Sequence, residues 1–509
     1  MVQNRLGPSP TPDGARRARR SPLVVAGCAS SCLVTRSRLC HQPALPTLGA
    51  VGGLRTYLSG PRERAAVRNG KGGPLALYAR GHGTYRGAGR GCRRDHRRHG
   101  PDEGTGRVSG RGRACRAAAV LLLTLTGQAT AAPAATPPAG ATVRGSGVVT
   151  WAASAQRVGQ GADRAYRLIV KVSAGGSDLR IRLSNAYGDH HLTVDAAHAG
   201  LQSEGAALKP RTNRALTFGG RQAVTVPPGG AVWSDPMPGR VPAGARLAVS
   251  LRTPDARGPA TGHELALTTS YLGRDADPGG DGDTGWTLTT GSWWYLDAVS
   301  VRPAHPRAGA VVALGDSITD GWGSTPGLDR RWPDDLARRL RADGTGVANE
   351  GISGNRVLTG KDGGPSAGRR LERDVLSQPG ARTVILYEGV NDLKADHAAG
   401  ADEIVAGYRE ITKRAHAAGL CVVGVTVAPF QGWPQWDTDA EAVRREVNHE
   451  VRTGGDFDAV ADVDRALRDP RDPARLRPDL DSGDHLHPGD DGMRAIAGAV
   501  DHPSRNCRR

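Results

Sequence analysis

Residues 311–320, VVALGDSITD, constrain the fold of this chain more than any other stretch. Four apolar residues in a row, the first two β-branched, predict a buried parallel strand, and the Gly-Asp-Ser that follows predicts a sharp turn at its carboxyl end. In open α/β sheets, ligands bind at the carboxyl ends of the strands. A serine on a tight turn there can present its hydroxyl to a substrate carbonyl. Ser317 could instead be only the N-cap of a following helix, so the tripeptide does not decide alone.

From residue 308 onward, predicted strands alternate with predicted helices, which indicates an α/β domain with a central parallel sheet and helices on both faces. The strands are predicted at residues 311–314, 346–348, 383–387, 421–427 and 459–463. The helices are predicted at residues 332–342, 371–377, 403–418, 441–453 and 491–500. We expect this domain to extend over residues 308–502, followed by a tail at 503–509.

The preceding segment, residues 147–303, is predicted to be a β-sandwich of the jelly-roll kind. Alternating apolar positions recur, for example at 179–183, 247–251 and 265–269, with Gly, Asn and Pro between them, and no helix of normal length is evident. Alternation of this kind is typical of sandwich strands. The aromatic cluster at 293–295, Trp-Trp-Tyr, could be a stacking platform for sugars, although tryptophans in small sandwiches more often fill the core.

The amino-terminal part of the chain accounts for all of its net positive charge. Residues 1–131 contain 23 Lys and Arg side chains against 5 Asp and Glu, whereas the whole chain has a net charge of +17. The remainder is close to neutral, so the charge gives no reason to expect a nucleic-acid partner. Residues 1–107 show no sustained periodicity and are predicted to be a disordered basic extension or a mis-assigned start that is not part of the natural protein.

Residues 108–131 have the order of a secretory signal peptide. Three arginines within 111–116 precede the apolar run 117–125, and an Ala-Thr-Ala cleavage pattern ends at position 131. A stable membrane anchor is disfavoured, because the run is well under the roughly 20 residues that span a bilayer. We therefore predict a secreted protein whose mature chain begins with a linker at 132–146.

Two of the seven cysteines, Cys421 and Cys507, follow the predicted cleavage site. In an oxidising exterior they could pair, but Cys421 begins a predicted core strand and Cys507 lies in a polar tail, so their pairing is left open. No Cys-x-x-Cys or clustered His/Cys spacing indicates a zinc site.

Three further loops carry polar residues at predicted strand ends or just before the last helix: NEGISGNR at 349–356, EGVND at 388–392 and DHLHP at 484–488. Singly, each has a plain structural explanation, such as a turn, a cap or a surface histidine. In this order, and with Gly-Asp-Ser after the first strand, they resemble the four signature blocks of the SGNH (GDSL) hydrolase superfamily. The resemblance covers residues 308–500, and the layout resembles the secreted bacterial two-domain esterase/lipase type.

The resemblance implies a three-layer SGNH-type domain and a serine mechanism that uses no metal or other cofactor. Ser317 would be the nucleophile, His487 its base, and Asp484 the group that orients the base. The chemistry requires such a set, because a serine hydroxyl needs a base, and the base needs a partner that sets its tautomer. His485 is a competing base in the same segment, but the spacing and the family pattern favour His487.

The resemblance also implies an oxyanion hole made by the backbone N–H groups of Ser317 and Gly354 and by the side-chain amide of Asn391. Other side chains on these loops would set the substrate. Three tryptophans in predicted loops near the site could line it or could only pack those loops: Trp322, Trp433 and Trp436.

We therefore expect a secreted serine esterase that cleaves carboxylic esters through an acyl-enzyme intermediate. The two-domain layout resembles secreted bacterial esterases that include carbohydrate deacetylases, which favours acetyl or other short acyl groups on a polysaccharide or a small ester. A lipase, phospholipase or thioesterase of the same fold is one alternative. A catalytically inactive glycan-binding surface protein is an alternative of another class, although all five site residues are present. The sequence does not indicate an oligomeric state.

Overall fold

The computed structural model describes residues 147–305, 308–360, 363–394 and 399–507. The predicted basic extension, signal peptide and linker all lie outside these residues. No helix within the described ranges is both long enough and apolar enough to cross a membrane.

Residues 147–305, called the β region below, are described entirely as strands, turns and irregular segments, so the expectation of no normal helix is confirmed for these residues. The strands are β1 Val148–Ala152, β2 Gln156–Gln160, β3 Arg164–Lys171, β4 Gly176–Ser184, β5 Leu192–Val194, β6 Ala196–Leu201, β7 Arg214–Ala215, β8 Val224–Val226, β9 Ala231–Trp233, β10 Met237–Val241, β11 Arg246–Thr253, β12 Pro259–His263, β13 Ser270–Gly273, β14 Leu288–Thr290, β15 Trp293–Trp294 and β16 Leu296–Pro303.

Two larger antiparallel sheets dominate the β region. One has the order β1-β16-β4-β10, with β9 also paired to β4, and the other has the order β14-β13-β3-β11-β6-β7. Two smaller sheets have the orders β15-β12-β2 and β5-β8. Alternate side chains of β3, β4 and β11 meet in one apolar cluster, as period-two strands require: Tyr166, Leu168, Val170, Leu179, Ile181, Leu183, Leu247, Val249 and Leu251.

The aromatic cluster at 293–295 contributes to this core. Trp293 and Tyr295 are buried, Trp294 is half-buried, and the Trp293 indole N–H donates to the carbonyl of Ile169 at 2.8 Å. The three rings therefore pack within the protein and do not form an exposed platform.

The predicted strand at 265–269 is wrong. The chain is irregular there, Leu267 has a φ of 48°, and the strand begins only at Ser270. Long-range contacts explain the difference, because the carbonyl of Ala266 accepts from the Arg331 guanidinium and the carbonyl of Leu267 accepts from the N–H of Gly327. These partners from the following region take the place of a neighbouring strand.

Residues 308–507, called the α/β region below, contain the predicted parallel sheet. Its strands are β17 Ala310–Gly315, β18 Gly346–Gly351, β19 Ala381–Tyr387, β20 Cys421–Val425 and β21 Ala459–Ala461, in the order β18-β17-β19-β20-β21. The helices are α1 Ser317–Asp320, α2 Trp332–Leu340, α3 Ala367–Leu371, α4 Val390–Leu393, α5 Ala401–Ala417, α6 Thr438–Thr453, α7 Val463–Leu467 and α8 Asp490–Asn506. A 3₁₀ turn, Arg341–Asp343, extends α2, and a π-helical turn, Glu372–Leu376, extends α3.

Both faces of the parallel sheet are covered by helices, which confirms that prediction. Alternate residues of β17 point to opposite faces. Val311 and Ala313 pack in the cluster that contains side chains of α2 and α8, whereas Val312 and Leu314 pack in the cluster that contains side chains of α3, α5 and α6. This double burial explains why the strand is apolar at every position.

Helix α8 continues to Asn506, past its predicted end at residue 500. Pro503 lies inside it, and the buried hydroxyl of Ser504 donates to the carbonyl of Val500. Cys507, directly after the helix, forms a disulfide with Cys421 at the start of β20, with 5.8 Å between the Cα atoms. The disulfide ties the last turn to the sheet, which local sequence could not reveal.

The β region and the α/β region belong to one compact unit and share part of a core. The backbone N–H of Val149 donates to the carbonyl of Pro379 at 2.8 Å. A Cβ at Gly346 would lie only 2.0 Å from the carbonyl oxygen of Val149, so only glycine allows β1 to approach β18 this closely. The hydroxyl of Ser173 also accepts from the N–H of Val347 at 2.8 Å.

Candidate active site

The strand order places three loops at one edge of the parallel sheet. β17 has β18 on one side and β19 on the other, so the carboxyl ends of these three strands lie next to each other. Ser317 follows β17, Gly354 lies in the loop after β18, and Asn391 lies in α4 after β19. Such a switch in strand order is where open α/β sheets bind ligands.

The turn that carries Ser317 is dictated by its neighbours. Asp316 is the N-cap of α1, because its carboxylate accepts from the N–H of Ile318, so the reading of Ser317 as a mere cap is wrong. A Cβ at Gly315 would lie 2.1 Å from the hydroxyl of Thr319 and 2.6 Å from the carbonyl of Tyr387. Gly321, with a φ of 111°, ends the helix after a single turn. Ser317 is thereby held at the end of β17.

Ser317, His487 and Asp484 form one chain of hydrogen bonds. The Ser317 Oγ lies 2.8 Å from His487 Nε2, and His487 Nδ1 lies 2.6 Å from Asp484 Oδ2. The other carboxylate oxygen of Asp484 accepts the N–H groups of Leu486 and His487, so its position is fixed by the backbone. Because Nδ1 faces a carboxylate, it carries a proton, and Nε2 is then free to accept from the serine hydroxyl.

The carboxyl of Asp484 stays ionised at every pH at which a histidine can act as a base. Partial burial acts to raise its pKa, but the hydrogen bond and charge of His487, together with two backbone N–H groups, lower the pKa to about 2. A permanent negative charge here stabilises an imidazolium as it forms on His487.

The competing histidine of this segment faces away from the serine. His485 Nδ1 lies 2.8 Å from Asp481 Oδ2, and the His485 side chain is half exposed. Its backbone is in the left-handed region, with a φ of 67°. The segment thus contains two His–Asp pairs, of which the structure places only the His487 pair against Ser317.

The three predicted oxyanion donors belong to segments that follow the carboxyl ends of adjacent strands. Gly354 has a φ of 79°, which favours glycine, and among the described residues no acceptor bonds to the N–H of Gly354 or of Ser317. The amide nitrogen of Asn391 donates one hydrogen to the carbonyl of Asn355 at 2.8 Å and keeps a second one. The Lys394 ammonium donates to the Asn391 oxygen at 2.6 Å, which fixes the orientation of the amide.

Two of the three predicted lining tryptophans contact the histidine. The ring centroids of Trp322 and Trp433 lie 5.9 and 5.8 Å from that of His487. Trp322 is 43% exposed, whereas Trp433 is half-buried with the Lys394 ammonium 5.1 Å from its ring centroid. Trp436 packs against the apolar core.

A cluster of buried charged groups lies beneath the site. The guanidinium of Arg370, fully buried, donates to the carbonyls of Gly315 and Glu350 and to the carboxylates of Asp374 and Glu388. Burial raises the pKa of Glu388 well above its ordinary value. The arginine therefore joins the end of the Ser317 strand to the ends of both neighbouring strands.

Burial also raises the pKa of Asp316 to about 7, although the N–H of Ile318 and the positive charge of Lys394 act to lower it. Because this pKa lies above the ordinary value of 3.8, ionisation of Asp316 destabilises the folded protein increasingly as the pH rises from about 4 through about 7. Asp316→Asn keeps the acceptor for the Ile318 N–H and cannot ionise.

We expect the Asp316→Asn variant to have the same free energy of unfolding as the wild type near pH 4 and a higher one near pH 8. The gain at the higher pH should be on the order of a few kcal/mol. Urea unfolding at the two pH values measures it, and equal stabilities near pH 8 would show that Asp316 ionises in the folded protein without cost.

Sequence reasoning did not single out Lys394, Asp320 or His263. Lys394 follows Asn391 by three residues, and that spacing on a helical turn was an available signal. Asp320 lies in the stretch 311–320, but nothing in the sequence assigns a role to it. His263 lies in the β region, and nothing local connects it to the site. In the residues that the structure describes, the one His/Cys/Asp/Glu group with metal-like proximity is Cys421, Asp458 and Cys507, whose two sulfurs are joined in the disulfide.

Comparisons with solved structures give resemblances at low identity. The native aryl esterase of M. smegmatis is 18% identical, with 39% of this chain and 99% of that chain covered and a TM-score of 0.34. A carbohydrate acetylesterase from Sinorhizobium meliloti is 19% identical, with 39% and 98% covered and a TM-score of 0.32. A GDSL-like lipase from Bacteroides thetaiotaomicron VPI-5482 is 18% identical, with 38% and 86% covered and a TM-score of 0.31. No curated protein sequence matches the chain.

The family model of the GDSL-like Lipase/Acylhydrolase family matches residues 313–495. The matched range begins in β17 and ends in α8, so it includes all four loops of the candidate site. The parallel sheet, the position of the loops at its carboxyl edge and this match agree with one another. The chain therefore contains a GDSL/SGNH hydrolase domain, and the protein is a carboxylic ester hydrolase.

Proposed function

We propose that this protein is a secreted serine esterase that removes short acyl groups through an acyl-enzyme intermediate. The observation that carries the proposal is the continuous hydrogen-bonded chain from the Ser317 hydroxyl through His487 to Asp484. A serine, a base and a group that orients the base are what nucleophilic ester cleavage needs, and here they meet in one place.

In the proposed reaction the Ser317 Oγ attacks the ester carbonyl carbon while His487 Nε2 takes the hydroxyl proton. The negative charge that develops on the carbonyl oxygen accepts hydrogen bonds from the N–H groups of Ser317 and Gly354 and from the amide of Asn391. The C–O bond then breaks, and His487 returns its proton to the leaving alcohol. A water molecule, deprotonated by His487, attacks the acyl-enzyme, which releases the acid and restores Ser317.

The surroundings of His487 support a small substrate with an apolar or ring-shaped face. Trp322 is one of three exposed large apolar side chains among the described residues, together with Leu288 and Leu328. An isolated exposed ring beside the base suits stacking against one sugar or acyl group better than contact with a lipid surface. Acetyl or another short acyl group on a carbohydrate or small ester is therefore the substrate class that we propose.

Export is supported by two independent features. The basic, apolar and small residues at 108–131 have the order of a signal peptide. The Cys421–Cys507 disulfide is typical of proteins that fold in an oxidising compartment. We also propose that the β region is a β-sandwich domain in front of the hydrolase, as in secreted two-domain esterases, because its two larger sheets contribute to one apolar cluster.

Two alternatives to this proposal are tested with it. One is a lipase, phospholipase or thioesterase activity of the same fold, and the other is a glycan-binding protein without enzyme activity. The purified protein should be assayed with p-nitrophenyl esters from acetate to palmitate, beside acetylated polysaccharides. We expect activity to fall as the acyl chain lengthens. Activity that rises toward palmitate would favour a lipase. No hydrolysis of any ester, together with retained glycan binding, would overturn the esterase proposal.

A further inference from the structure

A buried chain of hydrogen bonds runs from the β region to the loop that holds Gly354. His263, at the end of β12, places its Nε2 2.9 Å from Asp320 Oδ1. The other oxygen of Asp320 accepts the backbone N–H of Ser353 at 2.9 Å and the Ser353 hydroxyl at 2.7 Å. The side chains of His263 and Asp320 are only 4% and 2% exposed. Gly354 is the next residue after Ser353.

Both ring nitrogens of His263 face oxygen atoms. Nδ1 lies 3.0 Å from the carbonyl oxygen of Ser154, which can only accept, so Nδ1 carries a proton. The contact between Nε2 and the Asp320 carboxyl needs a second proton, whichever of the two atoms holds it. The pair therefore has no net charge. Without His263, the buried Asp320 carboxyl would keep its hydrogen bonds from Ser353 but would have no ring nitrogen beside its other oxygen, which is costly for a folded protein.

Asp320 is in a position to control two of the three proposed oxyanion donors. It ends α1, the one-turn helix that Ser317 begins, and its backbone N–H donates to the carbonyl of Asp316. A Cβ at Gly351 would lie 2.2 Å from the Asp320 nitrogen, so α1 lies directly against the end of β18. The Asp320 side chain then holds the loop after that strand.

His263 and Asp320 also border a cavity of about 50 Å³ between the two regions, together with Lys171, Arg331 and Asp334. This space is enough for a few water molecules and too small for an ester substrate. The pair therefore borders no space that could hold the substrate, and its link to the candidate site is the contact of Asp320 with Ser353.

We propose that His263 and Asp320 are positioning residues by which the β region holds the oxyanion hole in its working geometry. The proposal rests on the proposed function, because it assigns the Gly354 N–H to the reaction. It gives the β region a part in catalysis that is separate from any contact with substrate. An oxyanion donor that is displaced by about 1 Å is expected to lower kcat strongly and substrate binding little.

The test compares three variants of the full protein with the wild type. His263→Phe keeps a planar ring but removes both hydrogen bonds, and His263→Gln keeps an amide that can donate to Asp320. Ser173→Ala is the matched control, because it removes a buried hydrogen bond between the same two regions, at the opposite end of β18. For each, kcat and KM on a p-nitrophenyl ester are measured per active site, with the active sites counted by titration with a phosphonate.

We expect His263→Phe to lower kcat by about 10- to 100-fold with KM changed less than about threefold. His263→Gln should recover kcat to within about threefold of the wild type, and Ser173→Ala should leave it unchanged. An unchanged kcat in His263→Phe, an equal fall in Ser173→Ala, or a loss of active sites without a lower kcat per site would overturn the inference. A wild type that cleaves no ester would overturn the proposed function, and the inference with it.

Discussion

Replacing Ser317 with alanine is expected to lower kcat/KM for ester hydrolysis by about 10⁴- to 10⁶-fold, because the attacking oxygen is removed. His487→Ala should lower it to a similar extent, since the serine then has no base. The double variant should be no slower than either single variant, because residues that act as one unit are not additive. Hydrolysis of p-nitrophenyl acetate under single-turnover and steady-state conditions measures all three.

His485→Ala is the matched control for this first prediction. His485 lies two residues from His487 and also pairs with an aspartate, but it faces Asp481 and not the serine. We expect its rate to stay within about threefold of the wild type. If His485→Ala lost activity and His487→Ala kept it, the assignment of the base would be wrong. If Ser317→Ala kept full activity, the serine mechanism would be wrong.

Asp484→Asn is expected to have the second largest effect, a fall in kcat of about 10³- to 10⁴-fold. The Asn oxygen can still accept the N–H groups of Leu486 and His487, so the loop should keep its shape. The amide nitrogen, however, would face His487 Nδ1 and favour the tautomer that has its proton on Nε2. That imidazole could no longer accept the proton of Ser317, and no carboxylate would stabilise its charged form.

Asp481→Asn is the control for the second prediction, because Asp481 holds His485 through the same kind of carboxylate contact. The kcat of Asp481→Asn should differ from that of the wild type by less than about threefold.

The wild-type pH profile offers a separate check on Asp484. Because the pKa of Asp484 is lowered to about 2, its stabilising contribution is present above its ordinary value of 3.8 and is lost only as the pH falls through about 2. Protonation of Asp484 should therefore cause no loss of kcat above about pH 4.

The importance of the β region follows from the same contacts. An apolar core, the β1 contact with β18 and the His263–Asp320 pair all join it to the hydrolase domain. A hydrolase domain without this region would expose the core residues that pack with Val148, and Asp320 would lose its contact with His263. Activity of the serine and stability of the whole chain are thus expected to depend on both regions.

Much of the α/β region could be predicted because its signals are local. Each parallel strand is buried on both faces, so it appears in the sequence as a short apolar run, and each such run ends in a loop of Gly and polar residues. All five predicted strands are present, with ends that differ by a few residues at most. The residues of the candidate site stood out for the same reason, since each lies in a strand-end loop or just before the last helix.

Other features depended on partners far away in the chain and had no local signal. Residues 265–269 alternate like a strand but are held by Arg331 and Gly327. Helix α8 passes through Pro503 because the Cys421–Cys507 disulfide and the packing of Ser504 secure its last turn.

The sequence by itself determined the strand-and-helix order of the hydrolase domain and which residue types stand at the strand ends, because these follow from hydrophobic period and turn chemistry. Only the tertiary structure decided which histidine faces Ser317, that Cys421 pairs with Cys507, and that His263 reaches Asp320 across 57 positions of sequence. Each of these choices is made by a contact between distant segments, whose geometry exists only when the sheets have packed.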